Sequence, residues 1–170
     1  GGVSARAHEQ RSAAAGQAQG RGREVPPRAL RHPDPQGDGS RLHLDDPDLD
    51  PFWEACARLK IPVFIHTADP AEFFQPIDYH NERWLELALF GDRRYPAPEN
   101  PPFEELMAER DRLFKKHPKT TFIAAHMGWH ANDLARLGKM LDTMPNLYTE
   151  VGAILYDIGR QPRAAHDFFA

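Results

Sequence analysis

Three short apolar runs in this 170-residue chain each end on an ionisable side chain: "IPVFIH" on His66, "TTFIAAH" on His126 and "LYTE" on Glu150. A run that only fills a core has no use for a terminal imidazole or carboxylate, because a buried polar group without a partner costs stability. Imidazole at such a position suits two tasks. Neutral histidine is the commonest side-chain ligand for zinc and related metals, and histidine is also the usual general base near neutral pH. Neither His66 nor His126 belongs to a short metal motif such as HExxH, and the chain has no cysteine cluster. A catalytic zinc takes three protein ligands and an open position, so the residue types leave ligand and base both open. One strand-end histidine is ordinarily a core or capping residue. Two histidines and a glutamate at equivalent ends of successive runs point to a shared site.

The elements that must position these groups are readable from periodicity. "DDPDLDPFWEACARLK" sets acids and Pro51 at a helix start, as helix N-termini favour, and puts Leu49, Phe52, Trp53, Cys56 and Leu59 on one face. "IPVFIH" then reads as a buried strand. Residues 68–102 are a long loop with a short helix around Glu82–Leu89. "PFEELMAERDRLFKKHP" is an amphipathic helix with Phe103, Leu106, Met107, Arg110, Leu113 and Phe114 on its stripe and Pro118 as its stop. A strand over Thr120–Ala125 follows. Next comes a helix with Asn132 as N-cap and Leu134, Leu137, Leu141 and Met144 inward. "NLYTEVGA" is a third strand, and "RQPRAAHDFFA" opens a last helix. Alternation of helices with near-continuous apolar strands predicts an α/β fold with a parallel sheet covered by helices. In such folds the strand C-termini carry the site, whether the sheet closes into a barrel or stays open.

Gly1 to about Leu42 differs in kind, being rich in Gly, Ala, Arg, Gln and Pro and nearly empty of large apolar residues. It cannot bury enough surface to offset its ordering entropy, so residues 1–42 are expected to be disordered and residues 43–170 to form the folded part. Patternless Arg/Ala/Gly/Pro text is also what a GC-rich gene yields out of frame, and the segment is read as possible non-native frame on that ground. The net charge of -4, with no basic stripe interleaved with aromatics, argues against nucleic acid as a partner. A single cysteine, Cys56, excludes an intramolecular disulfide framework and agrees with a cytoplasmic location. No apolar run reaches the roughly 18 residues that would span a bilayer.

"IPVFIHTADP", "HPKTTFIAAHMGWHANDLARL" and "PNLYTEVGA" together resemble the amidohydrolase-related family, also called amidohydrolase 2, over about Leu42 to Ala170. Members are metal-dependent (β/α)8 barrels that include hydrolases and decarboxylases of the aminocarboxymuconate-semialdehyde decarboxylase type. The resemblance implies a partial TIM-type barrel of about three βα units and a divalent metal, zinc first. It carries a metal-ligand histidine onto His66. The catalytic histidine, which positions or deprotonates the attacking water or the substrate, falls on His126, and Gly128 lets the loop turn tightly beside the site. The implied substrate is a small carboxylated or carbonyl compound, consumed by hydrolysis or by decarboxylation, and a homo-oligomer is expected because family members often pair.

The family also takes ligands from an HxH pair on its first strand and usually an aspartate on its last. This chain has no HxH, His130 lies four residues past His126, and His80 sits in the long loop. The expectation is a chain that holds the middle of a barrel and half of a ligand set, with an inactive remnant as the alternative of another class. Trp129 and His130 are candidates for the pocket wall, and Glu150 for orienting a ligand. Asp69, Asp78, His80, Glu82 and Trp84 read as solvated loop residues over the same face, and His32, His43, His117 and His166 as incidental.

Overall fold

The structure, a computed structural model, describes residues 41–170. The readings made for residues 1–40, His32 included, lie outside the described residues. Contacts divide the chain into two units, Gly1–Leu42 and His43–Ala170, and every element below belongs to the second.

Helix α1, Asp50–Leu59, starts with Pro51 in its first turn, where the missing N–H costs nothing. It buries Trp53 and Cys56 and ends on Lys60 in the left-handed region (φ 56°). Phe52 and Leu59, expected inward, are instead 55% and 63% exposed. The buried stripe runs through Trp53 and Cys56, and Phe52, about 100° round the helix from Trp53, touches only the edge of that indole (centroids 4.8 Å apart).

Strand β1 (Val63–Ile65), β2 (Phe122–Ala124) and β3 (Leu147–Thr149) form a parallel sheet in the order β1-β2-β3. Helix α2 (Trp84–Leu89) and helix α3 (Phe103–Lys116) lie between β1 and β2, and helix α4 (Leu134–Thr143) lies between β2 and β3. Parallel pairing follows from these crossovers, since a hairpin cannot join parallel strands. The register sets Val63, Phe122 and Leu147 in one row, Phe64, Ile123 and Tyr148 in the next, and Ile65, Ala124 and Thr149 in the third. Phe122 and Leu147 of the first row pack with Trp53, Leu113, Phe114 and Met140 to make the main core. The middle row points the other way, and Phe64 and Tyr148 are 60% and 56% exposed. Helices therefore cover one face of this sheet among the described residues, not both as the apolar strands suggested. The observed architecture is α/β with a three-stranded parallel sheet.

Helix α3 follows the predicted stripe, with Glu104 and Glu105 in its first turn and Lys115 and Lys116 in its last, each matching the helix dipole. It also buries Glu109, which no hydropathy pattern shows. That carboxylate accepts from the Leu44 amide (2.5 Å) and the His43 ring (2.9 Å), so His43 ties the start of the unit to α3. His117 does similar work: it is buried and donates from Nε2 to Asp50 at the start of α1 (3.0 Å). Helix α4 is capped by Asp133, whose side chain accepts from the Arg136 amide (3.0 Å), and not by Asn132 as expected. Asp133 is the residue that leaves helical geometry (φ -136°, ψ 71°), and only there can a side chain reach back to the first free N–H groups. The final helix expected from Arg160 onward is α6, Pro162–Phe169, and a short helix not read from the sequence, α5, Leu155–Arg160, precedes it. Pro162 cannot continue a helix that precedes it but suits the first turn of a new one.

Candidate functional site

One register step beyond the Ile65–Ala124–Thr149 row come His66, Ala125 and Glu150, followed on β2's side by His126. The parallel sheet thus delivers both histidines and the glutamate to its C-terminal edge. The His66 and His126 rings meet edge to face with centroids 5.1 Å apart. Trp129 closes the group, its ring 4.8 Å from His126 and 5.9 Å from His66. Its indole N–H donates to the carbonyl of Ala68 (3.2 Å), which ties the loop after β2 to the loop after β1.

The hydrogen bonds of His126 fix its tautomer. Nδ1 lies 2.9 Å from the carbonyl oxygen of Gly152 and 3.2 Å from Glu150 Oε1. Both of these only accept, so Nδ1 carries the proton and Nε2 of the neutral ring keeps its lone pair. Glu150 also takes the backbone amides of His126 (2.5 Å) and Gly152. The His126 amide and then the Gly152 amide hold its carboxyl below the usual glutamate range against the opposing effect of burial. Glu150 is thus an ionised clamp that joins the loops after β2 and β3. His66 is exposed at the rim, and no hydrogen bond engages its ring among the described residues. Desolvation and then the nearby His126 push its pKa below the ordinary histidine value, against a weaker pull from Asp69. The lowered pKa keeps the His66 ring neutral near pH 7, with a nitrogen lone pair to offer.

The segment carrying His126 is backbone of an uncommon kind. His126, Met127, Gly128 and Trp129 all have positive φ, at 57°, 53°, 59° and 57°. For L-residues this conformation costs roughly 1–2 kcal/mol each, so it persists only where its surroundings hold it. Met127 anchors the turn from within: its side chain is fully buried and its amide donates to the carbonyl of Glu150 (2.8 Å). From beneath, Arg110 of α3, 1% exposed, donates from Nη1 to the Gly128 carbonyl (2.8 Å) and from Nη2 to His130 Nε2 (3.2 Å). Its charge is balanced by Asp111 (2.9 Å). His130 is buried against this guanidinium, with a pKa lowered to about 4 by burial and then by Arg110 and Arg136. The stripe of α3 named Arg110 as an inward residue, but its role under the turn depends on a contact across 18 residues.

Gly128 serves this turn twice, through its φ of 59° and because a Cβ there would stand 3.0 Å from Arg110 Nη1. Gly128→Ala is expected to lower stability by about 1–3 kcal/mol. Urea unfolding of the two proteins checks it, and an unchanged midpoint would show that the turn relaxes at no cost.

The long loop is more tied down than a solvated surface. Asp69 accepts from the Tyr95 hydroxyl (2.5 Å), Asp78 caps the His80 amide (2.8 Å), and Glu82 pairs with Arg160 (2.7 Å). His80 lies against Tyr79, and Trp84 is 49% exposed. His166 stays on the surface beside Asp167. Away from the sheet edge, His43, Asp45 and Glu109 bring potential metal-ligand atoms within 4.8 Å of one another. Arg112 already holds Asp45 (2.6 Å), and His43 and the Leu44 amide hold Glu109. That cluster is self-satisfied. No helix among the described residues is long and apolar enough to cross a membrane.

An α/β protein that gathers two imidazoles and a carboxylate at the C-terminal edge of a parallel sheet places them where such folds bind ligands. The amidohydrolase family model matches residues 3–169, and the chain belongs to that family. The match extends over most of the segment before Leu42 as well as the unit His43–Ala170. No solved structure matches the chain. Membership places it in a superfamily of metal-dependent hydrolases and decarboxylases.

Proposed function

We propose that this edge is the working centre of a metal-dependent hydrolase acting on a small carboxylated or carbonyl compound. The observation that carries the reading is the commitment of His126 Nδ1 to the Gly152 carbonyl, which leaves Nε2 free beside His66. Of the three protein ligands a catalytic zinc takes, this edge supplies His66, an unengaged imidazole whose lowered pKa keeps it in the neutral, ligating form, and the group of three potential ligands among the described residues lies elsewhere, at His43, Asp45 and Glu109. A divalent metal bound there supplies Lewis-acid polarisation of a carbonyl and lowers the pKa of water toward about 7.

The chain's own residues do the rest. His66 would hold the metal through a ring nitrogen. His126 accepts a proton at Nε2 from water or substrate, and Glu150, ionised and 3.2 Å from Nδ1, stabilises the imidazolium that results. Trp129 walls the two rings on one side.

Zinc uptake by the purified, metal-stripped chain tests this. One zinc per chain, held weakly because His66 is its one assigned ligand, lost in His66→Ala and retained in His43→Ala, is the expected result. The second variant separates the sheet edge from the His43–Asp45–Glu109 cluster. A folded chain that takes up no zinc, or whose zinc survives His66→Ala, overturns the assignment.

A further inference from the structure

The charged group nearest the catalytic turn that the chemistry above leaves unused is Arg110. It is 1% exposed in the middle of α3, a helix whose remaining inward residues are largely apolar. Burying a guanidinium is costly, and a hydrophobic residue of similar size would serve the core at least as well. Its bonds explain its presence. Nη1 takes the Gly128 carbonyl and Nη2 takes His130 Nε2, so one rigid fork spans two acceptors that bracket Trp129. The turn it grips contains a run of left-handed residues that begins at His126. On the opposite side the His126 amide is held by Glu150. These contacts hold the turn at both of its ends.

We propose that Arg110 is a positioning residue for His126: by clamping the Gly128 carbonyl and the His130 ring from below, it keeps the His126–Trp129 turn left-handed and the His126 ring bound through Nδ1 to Gly152. The proposal rests on reading His126 as the proton acceptor, but its central geometric claim is testable without a substrate or a metal. Loss of the clamp frees the Gly128 carbonyl to rotate. The His126 ring then leaves Gly152, and its proton is no longer confined to Nδ1. Lysine at the same position offers a point charge without a planar fork and can serve one acceptor at a time.

The test is a long-range 1H–15N NMR spectrum of the histidine rings in the metal-free chain, taken for wild type, Arg110→Met, Arg110→Lys and Leu113→Ala. Leu113 is fully buried on the same helix and makes no contact with the turn through hydrogen bonds, so its variant reports a loss of stability alone. Wild type is expected to show His126 as a single Nδ1–H tautomer. Arg110→Met is expected to show a mixture of tautomers at His126, with Arg110→Lys between the two and Leu113→Ala like wild type. If Arg110→Met does not fold, Arg110→Lys decides. A folded Arg110 variant in which His126 keeps the wild-type signature overturns the proposal, as does a Leu113→Ala spectrum that shifts as far as the Arg110 spectra. The parent reading fails by a different route. Wild type that binds no zinc while Arg110→Met still scrambles the His126 tautomer would remove the metal assignment and leave the positioning role standing.

Discussion

His126→Asn is expected to lower turnover by about 10²–10⁴-fold, the usual worth of a positioned general base, with the folded structure intact. Asparagine can still donate a side-chain N–H toward the Gly152 carbonyl, which His126 reaches at 2.9 Å, so the loops after β2 and β3 stay joined. What it lacks is the second nitrogen, and with it the only proton acceptor that the turn presents toward His66. The loss should fall on kcat and not on KM, because the proton moves in the transition state and contributes little to substrate binding. Zinc uptake should persist, since the proposed zinc ligand is His66. Steady-state kinetics beside a zinc titration and a melting curve check the three statements together. Full activity in a folded His126→Asn protein would mean that the proton is taken elsewhere.

The second large effect is on stability and concerns His130. Its pKa is lowered from the ordinary value of 6.5 to about 4, by burial first, then by Arg110 and Arg136, with Asp111 and Glu104 pulling weakly the other way. The unfolded chain therefore binds more protons at this residue than the folded one between pH 4 and 6.5. Stability contributed by the neutral ring is complete above pH 6.5 and is lost as pH falls through that window, levelling off below 4. The size is roughly 3–4 kcal/mol, from about 1.4 kcal/mol per pH unit. His130→Gln isolates it, because glutamine offers an oxygen to Arg110 but does not titrate. Urea midpoints measured from pH 7 down to pH 4 should fall more steeply for wild type than for His130→Gln. Parallel pH profiles would show that His130 accepts a proton without losing its place on Arg110.

The two predictions share a cause: the turn after β2 is shaped by groups that face it from α3, and this bears on what could be read in advance. The strands and most of the helices were legible because their signals are local. Phe103, Met107, Leu113 and Phe114 repeat at helical spacing, Pro118 stops α3, and the apolar runs stop at His66 and His126. Where the reading failed, a local signal was ambiguous between neighbours. Asn132 and Asp133 are both good N-caps, and only the backbone at Asp133 shows which one turned. Phe52 looked inward because apolar character marks a face only to within one residue of helical phase.

The amino-acid sequence by itself determined which residues stand at the ends of the strands, and so which could do chemistry. Side-chain alternation and the strand stops are properties of a few consecutive residues, and a parallel sheet must bring such ends to one edge. Tertiary structure alone decided what those residues are able to do. The free lone pair of His126 depends on a carbonyl 26 residues away. The charge on Glu150 depends on the amide of His126, 24 residues back along the chain. The left-handed turn is held by an arginine whose partners lie on another element. Hydrogen bonds of this kind are directional contacts between distant segments, and no periodicity encodes them. They turn a histidine at the end of a strand into one with a defined tautomer and a defined neighbour.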